Sequence, residues 1–222
     1  MNKQTKIRFS EIDWRSKLID LLIVTIGITI AFKLNTWNES KKHEHEANIY
    51  ISSFIKENGS NEERLLKALE FSQKSKSDID TLQSLLLSKR YSDTRVEGLI
   101  ATMMALTQFA PTTTTMENIN SSGEFELIAD GALKESLIDT YNSYETSHKL
   151  EGMLNDYLNN YVTPYMFEHI RFSSFKPIND SFIDDPIFEN IVIGYSVLLN
   201  QKISGYKNTL ERVKLLDQDL NN

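Results

Sequence analysis

An all-α chain is what this sequence predicts, and three observations predict it. Glycine and proline number eight and four among 222 residues, too few for the many turns of a β-sandwich. Apolar residues recur at spacings of three and four from Leu65 onward, without a convincing period-two alternation. Near the front, one run is apolar all round. The expected architecture is an N-terminal transmembrane helix continuing into a stalk and an extended antiparallel helical bundle. Its divisions are a cytoplasmic tail over 1–17, a membrane anchor over 18–37 and a helical extramembrane domain over 38–222.

The anchor is read from Leu18 to Trp37. Leu21 to Phe32 carries no charge, and only Thr25, Gly27, Thr29 and Ala31 there are not Leu, Ile, Val or Phe. At about 100° per residue these side chains point in every direction, so no face is left for water. Taken as twenty residues the helix is about 30 Å long, which matches the hydrocarbon thickness of a bilayer. Asp20 falls in the first turns and Lys33 in the last, the order that the helix dipole favours, and Lys33 can snorkel outward. Trp14 and Trp37, the only two tryptophans, bracket the run as an interfacial belt would. No small-residue cleavage site follows, so an uncleaved signal anchor fits better than a removed signal peptide. The alternative is the central helix of a soluble bundle. Lys3, Lys6, Arg8, Arg15 and Lys17 precede the run, against Lys33, Lys41 and Lys42 after it. This places the N-terminus in the cytoplasm and the helical domain in the periplasm. Gly27 and Ala31 form a small-xxx-small pair through which two such helices could approach.

The stretch IGITIAFKLNTWNE, Ile26 to Glu39, resembles the signature of DUF6090, an uncharacterised family of small single-pass proteins from Bacteroidetes. There the pattern reads roughly IGILIALQINNWNE. Gly27, Ile28, Ile30, Ala31, Asn35, Trp37, Asn38 and Glu39 match in place; Thr29, Phe32, Lys33, Leu34 and Thr36 depart from it. A second block, Glu117 to Glu145, is similar to the family pattern SSGxLELIxxxxLxxxLxxYY. The resemblance covers nearly the whole chain and implies a bacterial single-pass membrane protein. It implies no activity.

After the anchor, the helix is expected to run on past Trp37 toward Gly59, where Ser60 to Glu63 could cap a new start or the helix could simply continue. Leu65, Leu66, Leu69, Ile79, Leu82, Leu85 and Leu86 make an apolar stripe, and Lys89 to Asp93 reads as a loop. Val96 to Phe109 is the next expected helix, ended by Pro111. Thr112 to Thr115 offer capping hydroxyls. Gly123 reads as a helix stop and Asp130 as an N-cap, with the following helix reaching Tyr161 and kinked or ended by Pro164. Phe172 to Pro186 reads as a long loop. Asp185-Pro186 starts the last helix, whose Ile203, Tyr206, Leu210, Val213 and Leu220 keep a coiled-coil-like spacing.

Charge and composition narrow the function. Residues 1–34 carry six Lys/Arg and three Asp/Glu; the rest carries 18 against 28. A basic foot and an acidic body suit a membrane surface and argue against nucleic-acid binding. There is no cysteine, so disulfides, thiol nucleophiles and thiolate metal sites are excluded. No Walker loop, dinucleotide fingerprint, G-x-S-x-G or HExxH is present. His43 and His45 point about 200° apart on a helix and cannot share a metal. No metal site and no cofactor is expected. Tyr141, Tyr144, Tyr157, Tyr161 and Tyr165 form the most distinctive stripe, read either as a bundle seam or as an aromatic groove for a partner. The expected function is non-enzymatic: a membrane-anchored binding, interaction or sensory scaffold module. Its partners are the bilayer and either a second copy or another helical protein. The alternative is an envelope-associated enzyme using Glu168, Asp180, Asp184 and Asp185.

Overall fold

The computed structural model describes residues 14–173 and 176–221; most of the expected cytoplasmic tail lies outside the described residues. Among the described residues the fold is all-α apart from one short hairpin, as composition and periodicity predict. Helix α1 runs Trp14–Leu87, α2 Val96–Thr102, α3 Thr114–Ser122, α4 Gly131–Tyr157, α5 Thr163–His169 and α6 Pro186–Leu220. A 3-10 turn lies at Phe125–Leu127, a π-turn at Leu158–Val162 and a second 3-10 turn at Asp180–Asp184. Strands β1 (Ile170–Arg171) and β2 (Lys176–Pro177) pair antiparallel, Ile170 opposite Pro177. Residues 1–49 and 50–222 form two separate compact units.

The second unit has its own core, and its side-chain contacts fix its topology. Glu57 meets Tyr141 and Asn61 meets Tyr144, so α1 and α4 run the same way. Ser147 meets Thr209, Glu151 meets Tyr206 and Tyr157 meets Ile191, so α6 runs against α4. The chain between α1 and α4 must therefore return along the bundle, and it does. Ala110 meets Arg64, Thr112 meets Asn61, Thr115 meets Glu57 and Glu124 meets Tyr50. The result is an up-down-up-down bundle whose second leg is only partly helical.

That leg corrects one expectation. The helix beginning at Val96 stops at Thr102 rather than reaching Phe109, and the chain is irregular from Ala105 to Thr113. Length supplies the reason. From Glu57 to Leu87, α1 rises about 45 Å, whereas Tyr91 to Thr115 as unbroken helix would rise about 36 Å. Extended residues cover up to about 3.3 Å each and make up the difference.

Several boundaries fall where the local chemistry predicts. Gly123 ends α3 with φ 74°, a left-handed conformation that favours glycine. Asp130 caps α4, accepting from the amides of Ala132 at 2.8 Å and Leu133 at 3.3 Å. Asp185 caps α6 by accepting from the Ile187 amide at 2.9 Å, with Pro186 at the first helical position. Gly59 does not break α1. Pro164 does not end the helical run, which continues to His169; the chain widens into the π-turn just before it. Proline has no N–H to give to residue 160, and its ring would crowd that carbonyl, which the wider turn relieves.

Two apolar clusters fill the second unit. One gathers Phe54, Met116, Ile119, Ile128, Leu133, Leu137, Leu216 and Leu220. The larger one includes Leu65, Ile79, Leu82, Ile100, Leu154, Val192, Leu199 and Tyr206. At the level between them α1 and α4 bury polar side chains instead: Glu57, Asn58, Asn61, Thr140 and Ser147.

Candidate functional site

Residues 18–37 are helical, and among the described residues nothing covers their large apolar side chains. Every large apolar side chain from Leu18 to Trp37 is exposed, Phe32 at 68% and Leu18 at 63%. Among the described residues one helix is long and apolar enough to cross a membrane, and none of its apolar stretch is buried. This is unlike the core helix of a soluble bundle, whose apolar face is covered. The hydroxyls in the run turn inward on the helix itself. Thr25 donates to the Leu21 carbonyl at 2.8 Å, Thr29 to Thr25 at 2.7 Å and Thr36 to Phe32 at 3.0 Å. Such back-bonding satisfies each hydroxyl without water, which is what hydrocarbon demands. Trp14 and Trp37 are exposed at its ends, and nothing beyond the helix's own backbone lies within 4 Å of where a Cβ on Gly27 would stand. Ala31 follows one turn later on the same face.

The five tyrosines do not line one groove. Tyr144 is buried, with its ring edge-on to Phe109 and Tyr141. Tyr141 donates to the buried Glu57 carboxylate, and burial with that bond pushes its hydroxyl far above the ordinary tyrosine range. Tyr157 lays its ring on Gly194, where a Cβ would collide with it. Tyr165 is buried in a stack with His169 and Phe188, donating to Asp185 at 2.9 Å. Tyr161 alone is largely exposed. The groove reading fails for a geometric reason. The π-turn inserts an extra residue per turn between Tyr157 and Tyr165, so the stripe projected from a 3.6-residue period rotates out of line.

Sequence reasoning missed the polar groups that hold the irregular second leg. Its backbone is gripped by side chains from three helices. Lys202 donates to the Thr107 carbonyl. Glu151 accepts from the Phe109 amide at 2.7 Å and from the Tyr206 hydroxyl. Arg64 donates to the Ala110 carbonyl at 3.1 Å. Asn61 both donates to and accepts from the Thr112 backbone, each at 2.8 Å. Glu57 accepts from the Thr115 amide and hydroxyl, each at 2.9 Å. Irregular backbone inside a core must find such partners, since its own helical bonds are absent. Burial holds the Lys202 ammonium below the usual lysine range, partly offset by Glu151. Burial and the bond to Glu151 push Tyr206 well up. The only sequence signal was polar residues, Glu57, Asn58 and Asn61, at helical spacing just before an apolar stripe.

Two of the four carboxylates expected for chemistry, Asp184 and Asp185, are otherwise occupied. Asp185 caps α6 and takes the Tyr165 hydroxyl; the Ile187 amide, then that hydroxyl, hold it below the usual carboxylate range. Asp184 accepts from Tyr91. Glu168 is exposed, and the Asp180 side chain lies outside the described residues. No group of three or more metal-ligating side chains comes together among the described residues.

Beside Asp184, at the turn between α1 and α2, lies a cleft of about 480 Å³. Tyr91, Ser92, Asp93, Thr94, Val96 and Glu97 line one side, Pro177 and Ile183 the other. Asp93 organises the turn. Its carboxylate takes both Nε and an Nη of Arg95 at 2.9 Å and an Nη of Arg90 at 3.1 Å, and it accepts from the Arg95 amide. These bonds, Arg95 foremost, hold it far below the usual carboxylate range.

The model of a family of unknown function, DUF6090, matches residues 20–201. No curated protein matches, and no solved structure matches.

Proposed function

The chain belongs to the family of unknown function DUF6090, and we propose that it is a single-pass membrane protein whose helical domain works by binding rather than by catalysis. One observation carries this: an apolar helical run with every side chain uncovered and every hydroxyl bonded to its own backbone. Burying a large aliphatic or aromatic side chain gains about 1.5–3 kcal/mol, so the eight between Leu21 and Phe32 together gain on the order of 10–20 kcal/mol in lipid. The excess of Lys and Arg before the run puts the N-terminus in the cytoplasm and the domain in the periplasm, across a bacterial inner membrane. Support for binding over catalysis comes from the domain. Its buried carboxylates hold backbone, and Asp184 and Asp185 hold neighbouring tyrosines.

Because the chain has no cysteine, single cysteines report topology cleanly. Carbonate washing should leave the protein in the membrane pellet. In spheroplasts an impermeant maleimide should label Ser204→Cys and spare Ser10→Cys. Release by carbonate overturns the anchor; the opposite labelling pattern overturns the orientation. Cross-linking in membranes with and without Gly27→Leu tests whether the partner is a second copy. A monomer in both removes that version.

A further inference from the structure

We propose that the anchor responds to bilayer thickness: it fits a thin hydrocarbon core alone, and in a thicker one it gathers with further copies of this chain. The inference rests on the anchored reading above and names the kind of bilayer that the helix fits.

Two charges set the usable length of the helix. Between Asp20 and Lys33 lie the twelve uncharged residues Leu21 to Phe32, so the two charged side chains are rooted about 20 Å apart along the axis. A typical hydrocarbon core is about 30 Å thick. The twenty residues from Leu18 to Trp37 match it only with both charges inside. Side-chain reach closes part of the gap. In a helix each Cα–Cβ bond leans toward the N-terminus. This carries the Asp20 carboxylate outward, but on a short stem. It starts Lys33 back toward the bilayer centre, so part of the long stem is spent in turning outward.

Nothing on the helix neutralises either group. Neither Asp20 nor Lys33 has a hydrogen-bond or ion-pair partner among the described residues. Just past the anchor, by contrast, polar groups pair along the helix. Asn35 donates to Glu39 at 3.0 Å, and Lys41 and Lys42 meet Glu44 and Glu46 at 2.6 and 3.6 Å. Two lone charges at opposite ends must each reach water, because a charge held in hydrocarbon is costly.

Tilt does not supply the missing length. The thirteen steps from Asp20 to Lys33 put the two side chains about 140° apart round the helix. Leaning in the one direction that moves both toward water adds only a few Å, since side chains stand roughly 5–6 Å from the axis. Leaning the other way draws both in. A span shorter than its bilayer thins the lipid around it or collects with other short spans. The anchor is open to collection: its large apolar side chains are uncovered, and Gly27 has nothing beyond the helix's own backbone within 4 Å of where a Cβ would stand. Bilayer thickness thereby decides whether chains stand alone or together.

The test uses the full chain in vesicles of dimyristoleoyl- or dierucoyl-phosphatidylcholine, a thin and a thick hydrocarbon core with one headgroup. The chain has no cysteine and Ser204 is exposed, so Ser204→Cys takes a donor or an acceptor dye for Förster transfer between chains. Flotation is recorded first. In the thick vesicles the chains should associate about tenfold more tightly than in the thin ones, the size that several Å of mismatch supports. Asp20→Leu combined with Lys33→Leu leaves no charge between Lys17 and Glu39, a run of about 30 Å. It should associate equally in both vesicles, and Lys33→Leu alone should remove part of the difference. Equal association of the unchanged anchor in the two vesicles, or a difference that the double substitution leaves intact, would overturn the proposal. A protein that floats with both vesicles and associates equally keeps its anchor and loses only the response to thickness. One that floats with neither removes the anchor itself.

Discussion

Two stretches of α1 solve the same problem in opposite ways. Over residues 18–37 the helix meets its polar needs alone: threonine hydroxyls fold back on the carbonyls one turn earlier. Over residues 54–61 it gives its polar side chains away: Glu57, Asn58 and Asn61 reach chain segments dozens of residues distant. The first pattern suits an environment with no partners to offer. The second suits a crowded core in which a neighbouring leg has too little helix to satisfy its own backbone. The difference shows that a polar residue in a helix carries little meaning by type. Its meaning comes from whether its bond is local or long-range.

The largest consequence lies in the long-range class. Glu151→Ala would strand the Phe109 amide and the Tyr206 hydroxyl, and leave the buried Lys202 ammonium without its nearby opposite charge. Breaking a buried charged network by removing one partner costs about 3–5 kcal/mol. Glu151→Gln, which keeps an acceptor, should cost about half as much. Urea unfolding of the two variants measures the gap; equal and small losses would mean that the irregular leg is not held by Glu151.

Next in size is an alkaline limb. Tyr144 and Tyr195 are each pushed up to about 12 by burial. Below the usual tyrosine value, about 10, both are neutral in folded and unfolded chains and the stability they carry is whole. Between about 10 and 12 the unfolded chain loses these protons first, so stability falls as pH rises, by at most about 1.4 kcal/mol per pH unit for each tyrosine. Lys202 acts with the opposite sign. Its folded value is lowered, so the unfolded chain holds that proton longer, and stability rises with pH up to about 10.4. The limb should therefore begin late and steepen. Tyr195 also has a buried hydroxyl without a hydrogen-bond partner. Tyr195→Phe should accordingly raise stability at pH 7 by about 1 kcal/mol and shallow the limb; unfolding midpoints between pH 7 and 11 read both.

How much of this could be read in the sequence follows the same divide. Features set by neighbouring residues were legible: the uniform apolar run, the Asp130 and Asp185 caps, the Gly123 stop, Pro186 at a helix start. Features set by distant ones were not. The truncation of α2 at Thr102 depends on how far the second leg must stretch beside α1, and the sequence around Met103 to Phe109 gives no hint of it. The tyrosine stripe was misphased by a π-turn that Pro164 signals only loosely. The cleft assembles from Glu97, Pro177 and Ile183, residues that no local pattern joins.

A smaller effect tests the helix between its two regimes. Gly59 sits in mid-helix, exposed, with nothing beyond the helix's own backbone within 4 Å of where a Cβ would stand. Gly59→Ala should therefore stabilise by about 0.5–1 kcal/mol, by restricting the unfolded chain. Destabilisation would show that a bend is needed there.

The smallest expected effect is the sharpest test of the comparison. If the hydroxyls of Thr25 and Thr29 serve only to satisfy themselves, then valine, equal in shape and without the hydroxyl, removes a donor and its need together. A carbonyl that loses this second bond still keeps its helical one, so nothing is left stranded. Thr25→Val and Thr29→Val should leave carbonate resistance and unfolding unchanged within about 0.5 kcal/mol. The matching change in the other stretch, Thr115→Val, removes a hydroxyl that Glu57 accepts inside the core and should cost about 1–3 kcal/mol. If instead Thr25→Val weakens membrane retention, or abolishes a cross-linked dimer that forms through Gly27, the anchor's hydroxyls reach beyond their own helix, and the division between local and long-range bonding no longer separates the two regions.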